Sequence, residues 1–189
     1  MNKVKVGFAL TGSFCTFDEI MPIVEKLAVS HDVSPIMSEY SYATDTRFGK
    51  AADFIEALER ICRKPVIHTI VGAEPIGPAR LFDIMVIAPC TGNTLGKLAV
   101  GITDTCVTMA AKAHLRNQRP LLLGVSTNDA LGNAAKNIGA LLNYKWVYTV
   151  PMRQDDPLSK PRSVVADFSL LPDALEKALL GIQCQPIYL

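Results

Sequence analysis

Short runs of apolar residues alternate along the chain with longer segments in which apolar positions recur at helical spacing. The apolar runs predict five strands, at residues 4–10, 32–37, 84–88, 121–125 and 146–150. The runs at 84–88 and 121–125 are apolar on both faces. This is typical of parallel strands that have helices packed on each side.

Five longer segments predict helices, at residues 16–30, 51–63, 104–117, 129–143 and 172–182. Thr16 and Glu19 have the spacing of a capping box, and Asp104 and Asp129 stand near helix N-termini, where the helix dipole favours a carboxylate. Residues 151–161 contain three prolines and four charged side chains and predict a mobile surface loop. Repetition of strand and helix predicts a doubly wound parallel sheet.

The resulting expectation is an α/β protein of the flavodoxin-like or Rossmann-like type, a three-layer sandwich forming one domain over residues 1–189. The hydrophobic fraction of 49% and the charged fraction of 20% are those of an ordinary globular protein. The net charge of +1 gives no electrostatic reason to expect a nucleic acid or a membrane as partner.

The five cysteines have no CxxC spacing and the three histidines form no paired motif, so neither a disulfide framework nor a metal site is predicted. No apolar stretch approaches the roughly 20 residues that span a bilayer. The first ten residues also lack the pattern of a signal peptide. These observations predict a cytoplasmic protein.

Ligands of open parallel sheets bind beyond the carboxyl ends of the strands. Thr11, Gly12 and Ser13 follow the first strand, where a glycine, two hydroxyls and the amides of a helix start can hold an anion. Residues 7–13 spell GxxxxGS, but Ser13 stands where a nucleoside triphosphatase has lysine, which excludes that class. The alternative is an ordinary tight turn, and this loop alone does not decide between the two.

A second polar loop follows the strand at 84–88 and contains Pro89, Cys90, Thr91, Gly92, Asn93 and Thr94. Its amide, its two threonine hydroxyls and the backbone donors of a helix start can match the edge of a pyrimidine-like ring. Capping the helix would need only one of the three polar side chains. The loop therefore carries more polar groups than capping requires.

Two other strand ends also carry polar side chains. Ser38 follows the second strand, and Ser126 follows the strand at 121–125. Thr127 comes next, and Asn128 or Asp129 after it is interpreted as a helix N-cap. No nucleophile, histidine and acid set accompanies these hydroxyls, so the pattern indicates binding of a phosphorylated ligand and assigns no catalytic residue.

Gly12-Ser13, the serine after the second strand and Pro89-x-x-x-Asn93-Thr94 together resemble the homo-oligomeric flavin-containing cysteine decarboxylase superfamily. That superfamily has Pro-Ala-Ser-Ala-Asn-Thr in the second loop, and residues 90–92 of this chain differ from it. The resemblance implies FMN, with its phosphate at the first loop and its ring at the second. The implied cofactor-binding residues are Thr11, Gly12, Ser13, Ser38, Pro89, Cys90, Thr91, Asn93, Thr94 and Ser126. The resemblance also implies assembly from trimers, with four trimers making a dodecamer.

Two departures from the superfamily concern decarboxylation. Pro75 stands eight residues before Asp83, where decarboxylases carry a histidine, and a proline cannot act as an acid or base. His68 is interpreted as a core or sheet-edge residue. The substrate-clamping motif Pro-x-Met-Asn-x-x-Met survives only as Asn128. Decarboxylation is therefore kept as an alternative activity.

Four longer strings, at residues 72–78, 87–95, 101–104 and 154–157, look like one two-subunit member of the superfamily. That likeness implies flavin redox chemistry on a small cyclic dicarboxylate, performed together with a nicotinamide-binding partner. Asn93 and Asn128 are predicted to bind the two carboxylates of the substrate. Arg47, Lys97 and Arg153 are alternatives, although such side chains are more often solvated surface charges. The chain could also be a non-catalytic companion of the nicotinamide-binding protein.

Overall fold

The computed structural model describes residues 3–189 and places a seven-stranded sheet between two layers of helices. Residues 1 and 2, which the single-domain prediction includes, lie outside the described residues. The strands are β1 Lys5–Leu10, β2 Asp32–Met37, β3 Ile84–Cys90, β4 Leu121–Thr127, β5 Val147–Thr149, β6 Met152–Arg153 and β7 Val164–Ala166. Their order is β2-β1-β3-β4-β7-β6, with β5 also paired to β4.

Strands β1 to β5 run parallel, whereas β6 and β7 form an antiparallel pair beside β4. β5 pairs with Leu121–Leu123, and β7 pairs with Ser126 and Thr127 at the end of β4. The loop predicted at 151–161 is wrong at its start, because Met152 is fully buried and begins β6. The remainder connects β6 to β7 with Leu158 exposed, and its mobility stays a prediction.

The helices are α1 Phe17–Ser30, α2 Glu39–Ala43, α3 Ala51–Cys62, α4 Ile70–Ala73, α5 Gly92–Val100, α6 Cys106–Leu115, α7 Ala135–Leu142 and α8 Leu171–Leu179. The helix predicted at 129–143 begins only at Ala135, because residues 128–134 form turns. Thr105, and not Asp104, caps α6 through a capping box with Thr108. No helix within residues 3–189 is long and apolar enough to cross a membrane.

Side chains of the central strands alternate between two cores. In β1, Val6, Phe8 and Leu10 pack with α1, α3 and α8, whereas Ala9 faces the core formed with α5, α6 and α7. β3 is buried at every position and divides its side chains in the same way. Helices on both faces explain why this strand is apolar throughout, and they confirm the predicted doubly wound α/β fold.

The end of β3 is irregular at Pro89. The register between β3 and β4 shifts between Ile87 and Cys90. Proline has no N–H to donate to a neighbouring strand. The Pro89 carbonyl, by contrast, accepts two hydrogen bonds, one from the amide and one from the hydroxyl of Thr11. The loop after β3 is thereby joined to the loop after β1.

Protonation of His114 is expected to destabilise this fold at acid pH. Its side chain is buried in α6 with Nε2 2.9 Å from the Pro120 carbonyl, and burial lowers its pKa from 6.5 to about 4. The unfolded chain therefore takes up a proton at a higher pH than the folded chain. Stability from the neutral imidazole is complete above pH 6.5 and is lost as the pH falls towards about 4.

We expect His114 to lower the free energy of unfolding by roughly 3 kcal/mol at pH 4 relative to pH 7. Urea denaturation across this range measures the effect. A His114→Gln variant keeps a polar side chain near Pro120 but cannot titrate, so its stability should depend less on pH. Equal pH dependence of the two proteins would contradict the prediction.

Candidate functional site

The loop after β1 is fixed to the loop after β3 through Thr11. The Thr11 hydroxyl donates to the Pro89 carbonyl at 2.7 Å and accepts from the Thr91 amide at 3.1 Å. The residue is 1% exposed, so both contacts are shielded from water. Its single hydroxyl proton is already used within the chain, and the side chain presents almost no surface to a ligand.

The turn that follows Thr11 carries several free donors. Within residues 3–189, the amides of Gly12, Phe14 and Cys15 donate to no backbone carbonyl. The hydroxyls of Ser13 and Ser126 lie 2.7 Å apart. Because one proton joins the two oxygens, the second hydroxyl proton remains able to donate. Donors without acceptors, grouped at one turn, are typical of an anion-binding loop.

Two of the polar side chains in the loop after β3 form the N-cap of α5. Thr91 Oγ1 accepts from the Thr94 amide at 3.3 Å and lies 3.1 Å from the Thr94 hydroxyl. Asn93 is exposed, and its side chain makes no hydrogen bond to the part of the chain that the structure describes. The Cys90 thiol is fully buried, which raises its pKa and removes it from contact with a ligand.

Gly92 brings this loop against the loop after β4. A Cβ at Gly92 would lie 2.7 Å from Thr127 Oγ1 and 2.9 Å from Asp129 Oδ1. Those two oxygens are 2.6 Å apart in a hydrogen bond that the Thr127 hydroxyl donates. The N-cap interpretation of Asn128 and Asp129 is wrong, because α7 begins at Ala135 and the Asp129 carboxylate accepts from Thr127.

The segment after β2 lies beside the turn at residues 12–15. Ser38 caps α2, since its hydroxyl accepts from the Ser41 amide at 3.2 Å and lies 2.8 Å from the Ser41 hydroxyl. A Cβ at Gly12 would lie 3.2 Å from Tyr40 Cδ1, so the ring lies directly beside the glycine. Sequence alone gives no sign of this contact beyond a tyrosine in a polar stretch.

A carboxylate of the chain itself occupies the N-terminus of α6. Glu39 Oε1 accepts from the Cys106 amide at 2.7 Å, at the helix end where negative charge is favoured. Burial, together with the Glu39 carboxylate, raises the pKa of the Cys106 thiol to about 12. This helix end therefore offers no free anion site, in contrast to the turn at residues 12–15.

The two asparagines predicted to bind substrate both lie on the surface near these loops. Asn128 is exposed, and its Oδ1 accepts a long hydrogen bond of 3.4 Å from the Ser163 hydroxyl. The chain that precedes Ser163 also contacts the loop after β4, since the Leu131 amide donates to the Arg162 carbonyl at 3.0 Å. Asn93 and Asn128 thus both keep side-chain N–H groups that are open to solvent.

The three cations considered as alternatives each have a neighbour on the surface. These neighbours are Asp104 for Lys97 at 2.7 Å, Asp167 for Arg153 at 3.0 Å, and the Phe48 ring for Arg47 at 4.8 Å. Both ion pairs are partly exposed, which makes each a weak interaction.

His68 lies at the edge of the sheet, as predicted. Its neighbour Ile67 forms a parallel bridge with Ile36 of β2, and the imidazole stacks on Tyr42 with ring centroids 3.6 Å apart. Pro75 lies in an exposed 3-10 turn that packs near the end of α6, away from the loops described above. Within residues 3–189, no three His, Cys, Asp or Glu side chains are grouped so that they could hold a metal ion.

Comparison with known proteins agrees with this architecture. A family model described as Flavoprotein matches residues 1–160. The B subunit of dipicolinate synthase from Bacillus subtilis (strain 168) is 46% identical over 184 residues, which cover 97% of this chain and 92% of that protein.

Solved structures show the same fold. The crystal structure of the dipicolinate synthase B subunit from Bacillus halodurans C has a TM-score of 0.90 and 44% identity, and covers 100% of this chain and 98% of that chain. Burkholderia xenovorans DmrB in complex with FMN, described as a cubic protein cage for redox transfer, has a TM-score of 0.69 and 18% identity. The match spans 95% of this chain and 97% of DmrB, and at this identity it shows the fold alone.

Proposed function

Because this chain belongs to the Flavoprotein family, we propose that it binds FMN at the carboxyl edge of its sheet as the redox subunit of a dipicolinate synthase. The proposed reaction oxidises a partly reduced cyclic precursor to pyridine-2,6-dicarboxylate. The nicotinamide-binding subunit of the same synthase is the proposed partner, in the mother cell of a sporulating bacterium. The observation that best supports FMN as the cofactor is the group of free hydrogen-bond donors around Ser13 and Ser126.

These donors fit the phosphate of FMN. Three backbone amides and a hydroxyl supply hydrogen bonds to an anion, and the absence of a side chain at Gly12 lets the Tyr40 ring lie against this turn. The flavin ring would lie at the Asn93 side chain and at the amides of Gly92 and Asn93, which have no acceptor within residues 3–189. The hydrogen bonds of Thr11, Thr91 and Thr94 would fix the loops after β1 and β3 in position.

When bound, FMN would supply the hydride acceptor for oxidation of the substrate. The residues of this chain would orient the substrate, with the side-chain amides of Asn93 and Asn128 donating to its two carboxylates. Neither Cys90 nor Cys106 contributes a thiolate, because burial raises both pKa values. Pro75 lies away from these loops and takes no part in the proposed chemistry.

We also propose that the chain assembles from trimers, with a dodecamer of four trimers as the complete shell. DmrB, which has the same fold, is described as a cubic protein cage, which supports assembly of such chains into a closed shell. Purified protein should be yellow, with flavin absorbance near about 370 and 450 nm. A colourless protein that takes up no added FMN would refute the cofactor assignment.

Removal of the Ser13 hydroxyl is expected to weaken FMN binding about tenfold, the effect of roughly one charge-assisted hydrogen bond. Riboflavin, which has no phosphate, should bind Ser13→Ala and the unchanged chain equally well. Quenching of flavin fluorescence measures both dissociation constants. Ser30→Ala, at the opposite end of α1, is the matched control and should change neither. If Ser13→Ala weakened the binding of FMN and of riboflavin equally, the assignment of the phosphate to this turn would be contradicted.

The catalytic role is tested in the synthase reconstituted from this chain and its nicotinamide-binding partner. An Asn93→Ala protein that still binds FMN is expected to oxidise the reduced precursor at least tenfold more slowly, because one carboxylate loses its donor. Formation of pyridine-2,6-dicarboxylate is followed by its ultraviolet absorbance. Unchanged rates with both Asn93→Ala and Asn128→Ala would favour a non-catalytic role beside the nicotinamide-binding partner.

A further inference from the structure

A cleft of about 930 Å³ lies at the amino ends of β1 and β2, beside the last turns of α1 and α3. It is at the opposite edge of the sheet from the loops that would hold FMN. Pockets of about 300–1,000 Å³ commonly bind small molecules. Five cationic side chains line the cleft against two carboxylates, although the whole chain has a net charge of only +1. The cations are Lys3, Lys5, Arg60, Arg63 and Lys64, and the carboxylates are Glu25 and Asp32.

Two of the cations have partners that account for them. The Lys3 ammonium donates to the Val29 carbonyl at 2.7 Å, at the C-terminus of α1, where a positive charge is favoured. Lys64 forms an ion pair with Asp32 at 2.6 Å. These two side chains therefore serve the fold.

Lys5, Arg60 and Arg63 have no such partner. All three are exposed, and none forms an ion pair within residues 3–189. Arg63 ends α3 with a φ of 55°, in the left-handed region that glycine adopts most easily. The backbone would therefore accept glycine at this position without strain.

We propose that this cleft binds a small anion that carries two or more phosphate groups. Arginine guanidinium groups bind phosphate oxygens through paired hydrogen bonds, and Arg60 and Arg63 reach the cleft from the last turn of one helix. Lys5 lines it from the start of β1. With Lys64 paired to Asp32, the cations Lys3, Lys5, Arg60 and Arg63 against the single carboxylate of Glu25 leave the cleft three positive charges in excess. This excess matches the charge of a phosphate chain better than that of a dicarboxylate.

The lining also indicates which part of a ligand is recognised. It contains no Phe, Tyr or Trp side chain, so it offers no aromatic surface on which a nucleobase could stack. The His31 side chain in this lining already has a partner, because its Nε2 lies 3.1 Å from Glu176 Oε1. Recognition would therefore depend on the phosphate chain.

The test is calorimetric titration of the purified, flavin-loaded protein with inorganic tripolyphosphate, phthalate and a hexaglutamate peptide. Tripolyphosphate should bind, and Arg60→Gln combined with Arg63→Gly should weaken it at least tenfold. Arg63→Gly introduces the residue that the backbone favours, so an unchanged melting temperature should accompany the loss. Lys112→Gln combined with Lys136→Gln removes the same charge from exposed positions on the other face and should bind normally.

If both double variants bound tripolyphosphate equally weakly, the loss would be due to the overall charge of the protein and not to the cleft. That result would overturn the proposal. Phthalate binding as tightly as tripolyphosphate would overturn the phosphate assignment. Tighter binding of hexaglutamate would make the cleft a docking surface for an acidic protein segment instead. Failure of tripolyphosphate to bind at low ionic strength would also refute it, whatever the state of the flavin site.

Discussion

A Gly92→Ala protein is expected to bind FMN at least tenfold more weakly than the unchanged chain. The added Cβ would lie 2.7 Å from Thr127 Oγ1 and 2.9 Å from Asp129 Oδ1, both closer than such contacts normally come. Neither oxygen can turn away easily, because the two are joined by a 2.6 Å hydrogen bond. The first turn of α5 must then move away from β4, and it takes Asn93 and the adjacent amides with it.

Flavin fluorescence titration measures this effect, and Gly139→Ala is its control. Gly139 also lies in a helix, but a Cβ there would meet no atom within 4 Å. The control should bind FMN normally and gain up to about 1 kcal/mol of stability, because alanine favours helix over glycine. In Gly92→Ala, replacing Thr127 by alanine as well should restore part of the affinity. Normal FMN binding by Gly92→Ala alone would show that the two loops need not be this close.

A Gly7→Ala protein is expected to lose about 3 kcal/mol of folding free energy, at the upper end for overpacking of a core. A Cβ at Gly7 would lie 2.4 Å from Cδ2 and 2.5 Å from Cε2 of the Phe82 ring. The ring is buried in the core with α6, so it has no room to retreat. Urea denaturation should show a lower midpoint with an unchanged slope.

A double-mutant cycle with Phe82→Leu identifies the cause. The smaller side chain should accept the new methyl group, so Gly7→Ala should cost much less in that background than in the unchanged chain. Equal costs in the two backgrounds would mean that Phe82 is not the obstacle. Folded Gly7→Ala protein should still bind FMN, because Gly7 lies inside β1 and not in the turn that we propose to bind the phosphate.

The central strands could be predicted because burial on both faces leaves a direct trace in sequence. Residues 84–88 and 121–125 are apolar throughout, and both lie in strands at the centre of the sheet. β6 and β7 leave no such trace, since they are two and three residues long and β6 adjoins a polar, proline-rich loop. Their pairing depends on contacts with β4 that no local pattern records.

The meeting of the four loops could also be predicted, because parallel strands end at one edge. The partners of each hydroxyl could not. Thr11 and Ser13 stand two positions apart in one loop, yet the first is consumed by the loop after β3 and the second faces Ser126. Aspartate is a residue type that commonly caps helices. The Asp129 carboxylate instead accepts a hydrogen bond from the Thr127 hydroxyl, and α7 begins only at Ala135.

The two hydrogen bonds of the Thr11 hydroxyl also affect how tightly a flavin would bind when its phosphate and its ring are held by different loops. Folding alone sets the spacing between the phosphate turn and the ring loop, because one buried hydroxyl holds both. A ligand that spans them need not restrict their relative motion, so the entropic cost of ordering has already been met. Binding free energies of the phosphate end and the ring end should then be nearly additive. Thr11→Val, which keeps the shape but not the hydrogen bonds, should make a whole flavin bind less tightly than its parts suggest.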